Sequence, residues 1–147
     1  MRIYLPATLL DLTDPAGLSA RPGHIVTAGL QRQWGAADQE EAEHAALLVA
    51  ARDSVALLDQ AGVPPRRVVV AADIDPLPAP AGEHAPVAAP AVPWRRVASF
   101  HVDDGDDPVA ARTIRQALAT GQMEPVAELD LLWYDATERA SLIASLP

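Results

Sequence analysis

Apolar residues fall along this chain in blocks, some with the alternation of strands and others with the three-to-four spacing of helices. Arg2-Ile3-Tyr4-Leu5 is strand-like, and a long helical stretch runs from Asp38 to Ala61. Two strand-like runs follow, Arg67 to Ile74 and Arg96 to Val102. A shorter helix from Pro108 to Thr120 then precedes a last strand, Leu129 to Tyr134. The order β-α-β-β-α-β is that of the split βαβ unit. The expected fold class is α+β, a ferredoxin-like βαββαβ domain. It would have a four-stranded antiparallel sheet, two main helices and a short C-terminal helix.

Local signals sharpen these elements. Asp38 caps the first helix, with Glu41 at capping-box spacing. Its apolar side reads His44, Leu48, Ala51, Val55, Leu58, and Gly62 followed by Pro64-Pro65 ends it. Pro6 is expected to stop the first strand, because proline has no N–H for a central ladder. Val68 to Ala72 is apolar on both faces, as in a strand covered on both sides. In the next strand Ala98, Phe100 and Val102 share one face, and Val97, Ser99 and His101 the other. Asp107-Pro108 opens the second helix. Asp135 and Glu138 have capping-box spacing for a third, short helix with Leu142, Ile143 and Leu146 on its apolar side.

Two segments fit no regular element. Residues 9–37 read as an irregular connection carrying one small extra strand near His24-Ile25-Val26-Thr27, between the turn signals Arg21-Pro22-Gly23 and Gly29. Residues 75–93 hold six prolines and one glycine, a composition for extended or turn backbone within a single domain spanning 1–147. This Pro/Ala-rich loop is either mobile or an arm laid across a partner. In a ferredoxin-like sheet both main helices cover one face. The apolar groups left on the other, such as Val97 and Leu132, need a cover: residues 9–37, the C-terminal helix or a second copy. A homodimer through that face is the expectation.

Composition narrows the partners. The net charge is −9, and every basic residue is arginine. An acidic chain is repelled by phosphate backbones and anionic lipid surfaces, so neither nucleic acid nor membrane is an expected partner. The chain has no cysteine, which removes disulfides and thiolate chemistry and fits a reducing cytoplasm. The N-terminal segment lacks the features of a secretion signal.

Several segments together resemble a family of small uncharacterised actinobacterial proteins. They are RIYLPAT at 2–8, HIVTAGL at 24–30, EEAEHAALLVAARDSVALL at 40–58, VVVAADID at 68–75, VASFHVDD at 97–104 and LLWY at 131–134. The absence of lysine and the abundance of alanine and arginine suit a GC-rich genome of that kind. The resemblance implies no activity, ligand or catalytic residue.

Two polar clusters offer chemistry. His101 and Asp103 point to one side of an extended strand, so with Asp104 or Asp106 they can chelate a divalent ion such as Mn²⁺, Zn²⁺ or Fe²⁺. Against this, the aspartates serve equally as a helix cap, and antiparallel pairing brings Arg66 and Arg67 to the same end. At the opposite end, Asp73 and Asp75 would meet Trp94, Arg95 and Arg96, close to the start of the first helix and to His24. These groups can bind an anionic small molecule, with a carboxylate as general base. His44 reads as a core or boundary histidine, His84 as a solvent-exposed one. No nucleophile elbow, dinucleotide fingerprint or phosphate-binding loop is present, and no cofactor is implied. The expected function is a non-catalytic cytoplasmic binding or homodimeric interaction module rather than an enzyme. The alternative is a small enzyme or anion-binding protein using Asp73, Asp75, Arg95 and Arg96.

Overall fold

The structure, a computed structural model, describes residues 1–78, 80, 82 and 85–147. The expectation for His84 therefore lies outside the described residues. Strands β1 (Arg2–Ala7), β3 (Val68–Asp73), β5 (Val97–Asp103) and β6 (Leu131–Asp135) form a four-stranded sheet in that order, every pair antiparallel. The mixed α/β class and the antiparallel sheet agree with the pattern of apolar blocks. The ferredoxin-like connection does not: in a split βαβ unit the strands on either side of a helix are parallel and separated, whereas β1 and β3 are adjacent and antiparallel.

Counting passes across the sheet explains the difference. After β1 the chain returns through β2 (Arg21–Gly23) and His24, whose backbone exchanges both hydrogen bonds with Tyr4 at 2.9 Å. A short helix α1 (Ala28–Trp34) follows, and α2 (Gln39–Leu57) then runs alongside β1. The return pass adds one reversal. A strand, a return and a helix leave β3 pointing back along β1, where a strand and a helix alone would leave it parallel.

The backbone of α2 begins where its cap predicts, with Asp38 accepting from the Glu41 N–H at 2.9 Å. Its buried stripe is rotated from the expected one. Ala42, Ala46, Ala50 and Ser54 lie at the centre, and His44 is exposed. Alanine and leucine occupy nearly every side of this helix, so hydrophobicity alone does not fix its orientation. Close approach of small residues to Tyr4, Val69 and Ala71 does. At the helix end the Ser54 hydroxyl donates to the Ala7 carbonyl at 2.8 Å and accepts from the Val68 N–H at 3.1 Å. A side chain thereby completes the last rung between β1 and β3.

Pro6 lies inside β1, opposite Val69. Tyr4 directs its backbone groups toward His24, and Pro6 directs its own to the same side, away from β3. Its carbonyl accepts from the Arg21 guanidinium at 3.0 Å. The missing N–H falls on the sheet's outer side, where proline is tolerated.

The second face of the sheet is filled by the chain itself. Leu9, Leu12 of a 3-10 turn (Leu10–Thr13), Leu18, Val92 and α5 (Arg139–Ala144) pack on Ile3, Leu5, Val68, Val70 and Phe100. Part of the Pro/Ala-rich segment contributes β4 (Val87–Ala89), paired antiparallel with β2, and the same register continues to a Leu18–Val92 bridge. Gly17, at φ 128°, belongs to this layer, where a β-carbon would meet the Val92 carbonyl. The face expected to mediate dimerisation is thus an internal core. Val97 belongs to it because a bulge pairs Ala71 with Ser99 but Ala72 with Val97, turning Val97 to the Phe100 side.

The other face is covered by α2 and, toward the Val68 end, by α3 (Pro108–Thr120) and α4 (Glu124–Ala127), whose Ile114, Ala117 and Val126 pack on Val55 and Leu58. The capping box at Asp135 and Glu138 forms as its spacing predicts.

Candidate functional site

The predicted anion-binding residues do not converge. Asp73 is held by Arg2, Nε to Oδ1 at 2.8 Å, and this hydrogen bond to Arg2 keeps its carboxyl below the usual carboxylate range. Asp75 lies 3.5 Å from Arg96 and is largely exposed. Register does bring these groups to one end of the sheet, since Ala72 sits opposite Val97. Trp94 leaves them. It occupies a 3-10 turn (Trp94–Arg96), turns into the second core and donates from Nε1 to the Asp14 carbonyl at 2.7 Å. Its ring contacts Phe100 and carries the Arg139 guanidinium 4.6 Å above its centroid. This contact offsets the absence of a hydrogen-bond partner for buried Arg139 Nε among the described residues. Arg95 is exposed beside it. His24 is drawn away by Asp53 of α2, Nε2 to Oδ2 at 2.5 Å.

The predicted metal pair is likewise divided. Asp103 is fully buried, and both its oxygens are taken by Arg67: Oδ1 by Nη2 at 2.7 Å, Oδ2 by Nε at 3.0 Å and by the backbone N–H at 2.7 Å. The antiparallel placement of Arg66 and Arg67 beside the acidic turn is as expected, and the Arg67–Asp103 ion pair is internal. His101 lies on the helix side of the sheet with Nε2 3.1 Å from Ser99 Oγ. Burial, with the nearby charges of His44 and Arg2, pushes the imidazole down to about 4, so it is neutral at pH 7. No group of three metal-ligating side chains occurs among the described residues.

Ser99 and His101 form the nucleophile–base part of a catalytic triad in outline. Ser99 is almost wholly buried, however, and the cross-strand carboxylate beside it, Asp135, caps the following turn at Thr137. The pair is better suited to holding the β5 surface than to attacking a substrate.

Concavities among the described residues include two beside α2. One, of about 580 Å³, is lined by residues that include Leu30, Trp34, Leu48, Val49, Met123 and Val126. A second, of about 390 Å³, lies between Arg21, Asp11 and the end of α2. None of the seven predicted site residues lines either.

The most unusual surface is the β6 edge. Asp103 donates its N–H toward β3, to the Arg67 carbonyl, so by alternation Val102 and Phe100 face β6. Their partners, Leu132 and Tyr134, use their backbone groups inward, and Leu131, Trp133 and Asp135 point theirs outward. The Asp135 N–H is satisfied by Glu138 at 2.7 Å. Those of Leu131 and Trp133 have no counterpart of this kind among the described residues and point to the outer side of the sheet. The side chains at this edge are apolar: Trp133 is 62% exposed and Leu132 39%. Edge strands normally carry lysine, proline or inward charges, and Leu131 to Tyr134 has none.

A family model of unknown function, DUF6912, matches residues 1–143. The chain belongs to that family. In this DUF6912 protein the match spans every strand among the described residues, including the β6 edge. No curated protein and no solved structure matches the chain. Among the described residues, no helix is long and apolar enough to cross a membrane.

Proposed function

We propose that this protein is a non-catalytic cytoplasmic interaction module that binds by adding an extended strand to β6. The observation carrying this reading is the outward backbone of Leu131 and Trp133, flanked by exposed apolar side chains on both faces of the sheet. Strand addition draws affinity from main-chain hydrogen bonds and specificity from alternate side-chain contacts. The polar groups that would support catalysis are committed elsewhere: Asp103 to Arg67, Asp73 to Arg2, and Asp135 to its cap. The lack of cysteine supports the cytoplasmic assignment, and the lysine-free, arginine-rich composition supports an actinobacterial origin.

Selection from a displayed library of extended peptides tests strand addition directly. The wild type should enrich peptides with alternating apolar residues, and these should lose binding to Trp133→Pro, whose proline removes an outward N–H. Enrichment of peptides that bind both proteins equally would place the interaction site elsewhere.

A further inference from the structure

We propose that the strand β6 receives is β6 of a second copy, antiparallel and related by a two-fold axis through Leu132. This rests on the strand-addition reading above and names its partner.

The edge is complementary to itself. With the axis at Leu132, Leu131 of one protomer lies opposite Trp133 of its partner, and the reverse. Both residues direct N–H and C=O outward, so each pair exchanges two backbone hydrogen bonds, four in all. Leu132 meets its own copy on one face of the joined sheet. On the other face the Trp133 indole covers the partner's Leu131. Exposed apolar groups on both faces are thereby buried together, which a strand with one polar face would not achieve.

Hydrogen-bond phase and charge together disfavour the adjacent registers. Asp130 and Asp135 bracket the apolar run. With the axis at Leu132, Asp130 lies opposite Tyr134 and the carboxylates avoid each other. A slip of one residue in either direction turns the outward backbone groups out of phase, and in one direction it also sets Asp130 directly against Asp135 in both halves. A partner must also present an unpaired edge of its own, and a second copy does so by construction. Each copy carries −9, but charges beyond about 8 Å are screened at physiological salt. Added salt should therefore raise the dimer fraction.

The absence of cysteine provides the test. In Leu132→Cys the two thiols sit across the axis in a non-hydrogen-bonded pair, about 4.5 Å apart at Cα, close enough for a disulfide. Mild oxidation should cross-link this variant several-fold more than Val109→Cys, which is exposed on α3. Light scattering after size exclusion should show wild type doubling in mass with concentration. Trp133→Pro should stay monomeric with an unchanged far-ultraviolet spectrum, and Trp133→Arg is the alternative if the proline variant does not fold. A wild-type monomer at every concentration, a dimer that survives both Trp133 substitutions, or cross-linking no better than the Val109→Cys control would each overturn the proposal. A monomeric wild type that still selects peptides lost by Trp133→Pro would refute the second copy while leaving strand addition standing. Failure of both experiments would refute both readings.

Discussion

The two halves of the sheet are finished differently. Around β1 and β3 everything is closed: α2 lies on one face, the second core on the other, His24 pairs with the outer edge, and Ser54 completes the last rung. Around β5 and β6 the outer edge is bare, Trp133 stands in solvent, and the helix-side floor consists of the Ser99–His101 pair. The same chain thus covers one edge with the return pass at His24 and leaves the apolar run Leu131–Tyr134 open between Asp130 and Asp135. Protection of an edge costs chain length, and here that length is spent at β1.

Substitutions can separate the halves. The largest effect is expected where they are tied together, at the internal Arg67–Asp103 pair between the start of β3 and the end of β5. Asp103→Ala leaves a buried guanidinium without its counter-charge and should cost about 3–5 kcal/mol in chemical denaturation. Arg67→Met with Asp103→Leu should recover much of that loss. A cost well below this range for Asp103→Ala alone would mean that Arg67 finds water or another acceptor.

Within the closed half, Ser54→Ala strands the Val68 N–H and the Ala7 carbonyl. A loss of about 1–3 kcal/mol is expected, read from the denaturant midpoint. A smaller change would show that the two strands close the rung directly.

The open half has a pH signature. His101 has a folded pKa of about 4 against an unfolded value of 6.5, so the unfolded chain takes up the proton first as pH falls. Above pH 6.5 the neutral ring imposes no penalty. Stability then declines with falling pH until about 4, where the loss is complete. Because the ring is partly exposed, the loss should reach roughly 2 kcal/mol rather than the full value implied by the displacement. His101→Gln should flatten this part of the stability–pH profile. An unchanged profile would assign the decline to other groups.

Much of the local structure was legible before any coordinates. The Asp38 cap, both ends of α3 and the Asp135–Glu138 box depend on neighbours in sequence, and all three appear where expected. The placement of Arg67 beside the acidic turn and of Asp75 beside Arg96 followed from antiparallel pairing alone. What failed depended on distant events. Pro6 lies inside a strand because of how β1 is paired on each side. Val97 changes face through a bulge with no marker in the sequence. The buried face of α2 is not legible because alanine surrounds the helix, and the fold topology turns on one short return pass whose direction no local pattern encodes. The apolar LLWY segment was visible throughout. Its meaning as an open edge depends on strand order, which no local pattern encodes.

The second core carries a further consequence, one of timing. Its cover is assembled from three pieces far apart in the chain: residues 9–18, residues 87–94 and the helix near the C-terminus. During synthesis the meander β1–β3–β5 can pair, and α2 can dock, before Leu142, Ile143 and Leu146 have left the ribosome. Until they do, Phe100 and its neighbours lie under an incomplete roof. The nascent protein therefore passes through an interval in which an apolar sheet face is partly bare, the condition under which holding chaperones are recruited and truncated products aggregate. Loss of the last turn of α5 should burden the cell more than its small share of the chain suggests.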